Sequence, residues 1–119
     1  DLINNEQVRL MDIPLEQEPC VLDALWGYFM ATGDEAPVIR IMEALTWAED
    51  KSNIPQLLNA IGKVAKWSLT SNAVQHSRVL KICCDQVSKQ PPEVRTVLTE
   101  VIRDAEAELC TRTTPKGEI

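Results

Sequence analysis

His76 is the only histidine in this chain, and it closes a polar run in which Ser71, Asn72 and Gln75 gather donors and acceptors beside apolar residues. An imidazole so placed can bind a ligand or titrate near neutral pH. The same residues also suit a helix end, with Asn72 as a left-handed terminus and His76 satisfying free carbonyls. Asp34 and Glu35 are adjacent carboxylates of the kind used for acid and base work, although the dipole of a helix start favours acids there in any case. The four cysteines, Cys20, Cys83, Cys84 and Cys110, contain no C-x-x-C pair, and one histidine cannot complete a zinc site with them. Neither a metal nor a cofactor is therefore expected. Cys83 and Cys84 are neighbours, which strains a bridge between them; buried thiols packing as small hydrophobes, or a Cys20 to Cys110 bridge in an oxidising compartment, account for the set.

No Ser-His-acid constellation and no glycine-rich phosphate loop can be assembled from motifs. Two readings of function follow. One is a non-catalytic module that binds a protein or peptide, or a second copy of itself; the alternative is a small helical enzyme, or the accessory domain of a larger one, using His76 with a carboxylate.

The 119 residues fit one domain, and 45% hydrophobic with 25% charged content is that of a soluble globular protein. No apolar run is long enough to span a membrane, and the net charge of −6 argues against a phosphate-binding surface, so neither a membrane span nor nucleic acid is expected. Residues 1–59 hold 11 acids against 3 bases, whereas residues 60–119 hold 7 against 9, a polarity that can steer a charged partner or stack copies head to tail. No leader is visible and the chain does not begin with Met, which leaves a cytoplasmic protein and an exported one equally open.

The elements that must position these residues are helices. Residues 1–18 read as an extended segment or the stub of a preceding domain, 19–110 as a helical hairpin domain, and 111–119 as a polar tail. A first helix presents Leu22, Leu25, Trp26 and Phe29 on one face and ends at Gly33; Asp34 caps a second, with Pro37 in its first turn, Val38, Ile41, Met42 and Leu45 buried, and an end near Ala48. Trp47 then falls about 180° from Val38, off the apolar stripe. Asn53 and Gln56 form a capping box for a third helix, Ile54 to about Asn72, whose broad face includes Leu57, Leu58, Ile61, Val64, Ala65 and Leu69. Ser77 caps a fourth helix burying Val79, Ile82, Cys83 and Val87. Pro91 and Pro92 separate it from a fifth with the cleanest stripe, from Val94 and Val97 through Leu98, Val101 and Ala105 to Leu109. No segment alternates as a strand must. The expected fold is all-α, two antiparallel hairpins and a closing helix.

Leu22 to Ile41 and Val64 to Ile82 align at an offset of 41, pairing Ala24 with Ala65, Trp26 with Trp67, Val38 with Val79 and Ile41 with Ile82. Hairpins with an aromatic in the first helix of each unit, and small residues such as Ala24, Ala31, Ala65 and Ala73 at close approaches, resemble the tetratricopeptide-like class, a right-handed α-solenoid-like array; that family's 34-residue consensus is absent. LDALWGYFMATGD and AKWSLTSNAVQH are also similar to stretches of uncharacterised bacterial proteins. The resemblance implies a fold and no activity, and by analogy a groove presented to a protein or peptide. On this reading Trp26 and Trp67 fill the seam between hairpins. Trp47, Asn72 and His76 are the candidate partner-binding residues, with Trp47 awaiting cover from the amino-terminal segment, another subunit or a partner. Lys63, Lys66, Arg78 and Lys81 form a solvated basic face.

Overall fold

Leu22, Leu25, Trp26 and Phe29 recur at helical spacing, and α1 (Val21–Thr32) buries all four together with Val21. The computed structural model describes residues 21–49 and 53–113; the segment 1–18, Cys20 and the tail beyond 113 lie outside the described residues. α1 ends as its sequence requires. Gly33 takes φ of 76°, the left-handed region open to a residue without a Cβ, and its N–H donates to the Phe29 carbonyl at 2.7 Å. The turn is fastened by side chains: Thr32 Oγ1 accepts the Asp34 N–H at 3.1 Å and Asp34 Oδ1 accepts that of Ala36 at 3.0 Å. Pro37 then lies in the first turn of α2 (Ala36–Met42), where no amide donor is needed.

The second helix does not continue unchanged to Ala48. From Glu43 to Trp47 the chain tightens into a 3₁₀ helix. Each 3₁₀ residue turns about 120° rather than 100°, so five such steps swing Trp47 to about 80° from Val38. The indole is accordingly half-buried and packs against the core, a correction to the expectation that it sits on the far side of its helix awaiting cover.

α3 (Gln56–Gln75) begins one residue after Pro55, which holds ψ of 144° outside the helical region. The capping box is therefore not formed: Asn53 lies in a turn before the proline, and Ile54 is outside the helix. At the other end, among the described residues none other than glycine has positive φ, so Asn72 is not a left-handed terminus but a member of α3. His76 makes the break alone, in extended conformation at φ −133° and ψ 110°, and occupies the cap position given above to Ser77, which is already the first residue of α4 (Ser77–Gln86). A short 3₁₀ turn, Val87–Lys89, leads to α5 (Pro92–Thr113), which carries the helix three residues into the expected polar tail.

Among the described residues there is no strand, and the fold is all-α. α3 lies at the centre, packed against α5, the 3₁₀ helix and α4, while α1 packs on α2. The side chains most completely withdrawn from water, Leu25, Ile41, Met42, Leu45, Leu69 and Leu98, come from α1, α2, the 3₁₀ helix, α3 and α5, so the core is shared rather than local.

Burial in the two helix pairs lines up at two different offsets. The offset of 41 holds for the second helices: Ala36 and Ser77 begin them, and Val38 with Val79, Ile41 with Ile82 and Met42 with Cys83 are all buried. In the first helices burial repeats at 40 instead, Val21 with Ile61, Leu22 with Gly62, Leu25 with Ala65 and Phe29 with Leu69. Trp26 then corresponds to Lys66. One residue on a helix is about 100° of rotation, so Trp67 is turned out of the seam that Trp26 fills.

Candidate interaction surface

That rotation makes Trp67 the most exposed large apolar residue described, at 70%, while Trp26 is 8% exposed. The expectation that both indoles fill the seam is corrected accordingly. Trp26 is held inside: its Nε1–H donates to Ser68 Oγ at 3.0 Å, and Ser68 Oγ–H in turn donates to the Ala65 carbonyl at 3.0 Å, so the one polar atom of the indole is satisfied within the core.

Trp67 is not alone on its face. Leu57 and Val64, expected in the core, are 56% and 50% exposed. With Ala60 and Ser71 they fall within about 80° of Trp67 around the axis of α3, a continuous stripe on the side turned away from the buried Ile61, Ala65, Leu69 and Ala73. Two depressions open along it. The first is apolar, about 130 Å³, lined by Leu57, Ala60, Ile61 and Val64 with Leu22 of α1 at its rim. The second, about 270 Å³, runs between the carboxy-terminal half of α3 and α5; Trp67, Ser71 and Val74 line one wall, and Asp104 and Glu108 of α5 the other.

The electrostatics differ along the stripe. Lys66, beside Trp67 in sequence, pairs with Glu100 of α5 at 2.6 Å, one turn before Asp104, each side chain about one third exposed. Arg78 donates to the Gly33 carbonyl at 3.0 Å, tying α4 to the corner between α1 and α2, and Lys81 pairs with Asp85 at 3.2 Å. The basic set is thus spent on local contacts rather than gathered into one patch.

The residues picked out from the sequence are dispersed. Asn72 and His76 meet through the main chain, the His76 N–H donating to the Asn72 carbonyl at 2.8 Å, and the Asn72 carboxamide donates back to the Ser68 carbonyl at 2.9 Å. Both are half-buried, and among the described residues no carboxylate bonds to the His76 ring. Trp47 meets α3 at the other end. Asn59 Nδ2 donates to the Trp47 and Glu49 carbonyls at 2.9 and 3.2 Å, and at Gly62 a Cβ would lie only 2.5 Å from the backbone of Trp47 and Ala48. Gly62 is ten residues, about 15 Å of helix, from Asn72. Asp34, paired with Glu35 in the sequence, is engaged in its turn.

Cys83 is buried and Cys84 exposed. Burial, with the neighbouring Cys84 adding to it, pushes the Cys83 thiol up to about 12. Partial burial and then the carboxylates of Glu106 and Asp85 raise that of Cys84, against Lys81. Neither is poised as a nucleophile at neutral pH. Among the described residues no group of histidine, cysteine and carboxylate side chains is arranged to hold a metal, and no helix is long and apolar enough to cross a membrane. Compared with known proteins, the chain matches no family model, no curated protein and no solved structure.

Proposed function

We propose that this chain is a non-catalytic helical-repeat module, tetratricopeptide-like in its paired hairpins, that binds a helical segment of another protein along the exposed face of α3. The observation that carries this reading is the stripe of Leu57, Val64 and Trp67, three large apolar side chains left half or more exposed on one face of the central helix. A contiguous apolar face of that kind is a common mark of a protein contact, and an amphipathic helix laid along it would bury residues at i, i+3 or i+4, and i+7. The equal burial of paired positions in α2 and α4 supports the repeat.

Amphipathic helical peptides selected from a displayed library against the wild-type chain test it. The expected binders lose at least about tenfold in affinity for Leu57→Asp/Val64→Asp, a tenfold loss corresponding to about 1.4 kcal/mol. Circular dichroism should show the fold unchanged, since both positions face water. Binders indifferent to the double substitution would overturn the reading, and so would a wild type that dimerises through those two residues in sedimentation equilibrium, which would make a second copy the occupant.

A further inference from the structure

We infer that the chain's own Ile13, Pro14 and Leu15 fold back over the apolar depression lined by Leu57, Ala60, Ile61 and Val64, and that a partner helix must displace them. The inference rests on the docking face proposed above and gives that face a competitor. Among the described residues only α1 and α3 border the depression, α1 through Leu22 at the rim. The described chain begins at Val21, one residue before Leu22, so the preceding segment arrives at that rim whatever path it takes. Seven residues separate Leu15 from Leu22, up to about 23 Å of extended chain, whereas Leu57 and Val64 lie about 10 Å apart along α3. The reach is ample.

The sequence suits the seat. A residue before proline is held away from the helical region, so Ile13 ahead of Pro14, like Glu18 ahead of Pro19, is predicted to be extended. In an extended chain residues two apart share a side, which puts Ile13 and Leu15 about 6.6 Å apart on one face and Asp12 and Glu16 on the other. Two aliphatic side chains at that spacing match an opening of about 130 Å³ lined by apolar residues. Residues 1–20 carry five carboxylates against one arginine, and the charged residues of α3 are both lysines, so no like charge on the helix opposes the segment. A short tether holds it near the face at roughly millimolar effective concentration, enough to occupy a seat too weak to retain a free peptide. An outside helix then meets a face that is partly filled, and its affinity is lowered by the fraction of chains left open.

The test uses the full chain with its methyl groups isotopically labelled. Nuclear Overhauser contacts are expected from Ile13 and Leu15 to Leu57 and Val64, and the Leu57 and Val64 methyl resonances should shift in Ile13→Asp/Leu15→Asp while circular dichroism stays unchanged. No such contacts would overturn the inference. Contacts found only between copies, in a mixture of differently labelled chains, would overturn it too and make a second copy the occupant. Helical peptides selected against the wild type should bind Ile13→Asp/Leu15→Asp at least about threefold more tightly, because more of the chains then stand open. Peptides that depend on Leu57 and Val64 yet bind that variant no more tightly would sink the inference and spare the docking face. Overhauser contacts in a chain whose peptide binders ignore Leu57 and Val64 would keep the seat for the chain's own segment and sink the partner reading.

Discussion

Trp26 and Ser68 show how much a single polar atom decides inside an apolar core. The indole N–H would be stranded without Ser68 Oγ, and removing one partner of a buried hydrogen bond leaves the other desolvated and unpaired. Ser68→Ala should destabilise the fold by about 1–3 kcal/mol in denaturant melts, although it removes only one oxygen from a nearly buried side chain. In a Trp26→Phe background, where no N–H remains to be satisfied, the same Ser68→Ala change should cost much less, and the difference is the coupling between the two sites. Equal losses in both backgrounds would show that Ser68 matters for reasons other than the indole.

Gly62 governs the joint between elements. The backbone of the 3₁₀ helix crosses α3 where a Cβ would sit 2.5 Å from the carbonyl carbon of Trp47 and from the nitrogen of Ala48, and neither atom can swing aside as a side chain would. Gly62→Ala should thus destabilise by about 1–3 kcal/mol or more through overpacking, despite the better helix propensity of alanine. Gly27, in α1, is the contrast: nothing lies within 4 Å of its would-be Cβ, and Gly27→Ala should stabilise by roughly 0.5–1 kcal/mol. Thermal melts of the two variants moving in opposite directions is the expected result. Gly33, Pro37 and the stripe of α5 were legible in the sequence, because each rests on local spacing or on one residue's dihedral preferences. What was not legible arose from contacts between elements. The crossing at Gly62 and the 3₁₀ geometry that carries Trp47 inward involve α3, twelve or more residues along the chain. The exposed stripe had a trace in the sequence: Trp67 coincides with Trp26 at an offset of 41, but at 40, the offset that follows the burial of α1, Lys66 stands in that place.

The whole molecule should feel the titration of one thiol. Cys83, held protonated by burial, is raised from 9.0 to about 12. Below pH 9 both the folded and unfolded chains keep its proton, and this contribution to stability is complete. Between 9 and 12 the unfolded chain loses the proton first, so stability declines as pH rises, by up to about 4 kcal/mol for three pH units. Other groups titrate in the same range, and the comparison that isolates this one is Cys83→Ala. Its stability at neutral pH should be lower, from the lost packing, yet its decline from pH 9 to 12 should be shallower than that of the wild type. Parallel declines would mean that Cys83 reaches water in the folded state.

The three tryptophans stand at three depths, one sealed, one half-covered beside α3 and one in open water, and this has an optical consequence. Light emitted by the chain is therefore a sum of three environments, and iodide should dim the reddest portion, from Trp67, before the rest. The same ruler that measures the core thus also reports on the groove, and a molecule seated there would protect only the outward indole of Trp67.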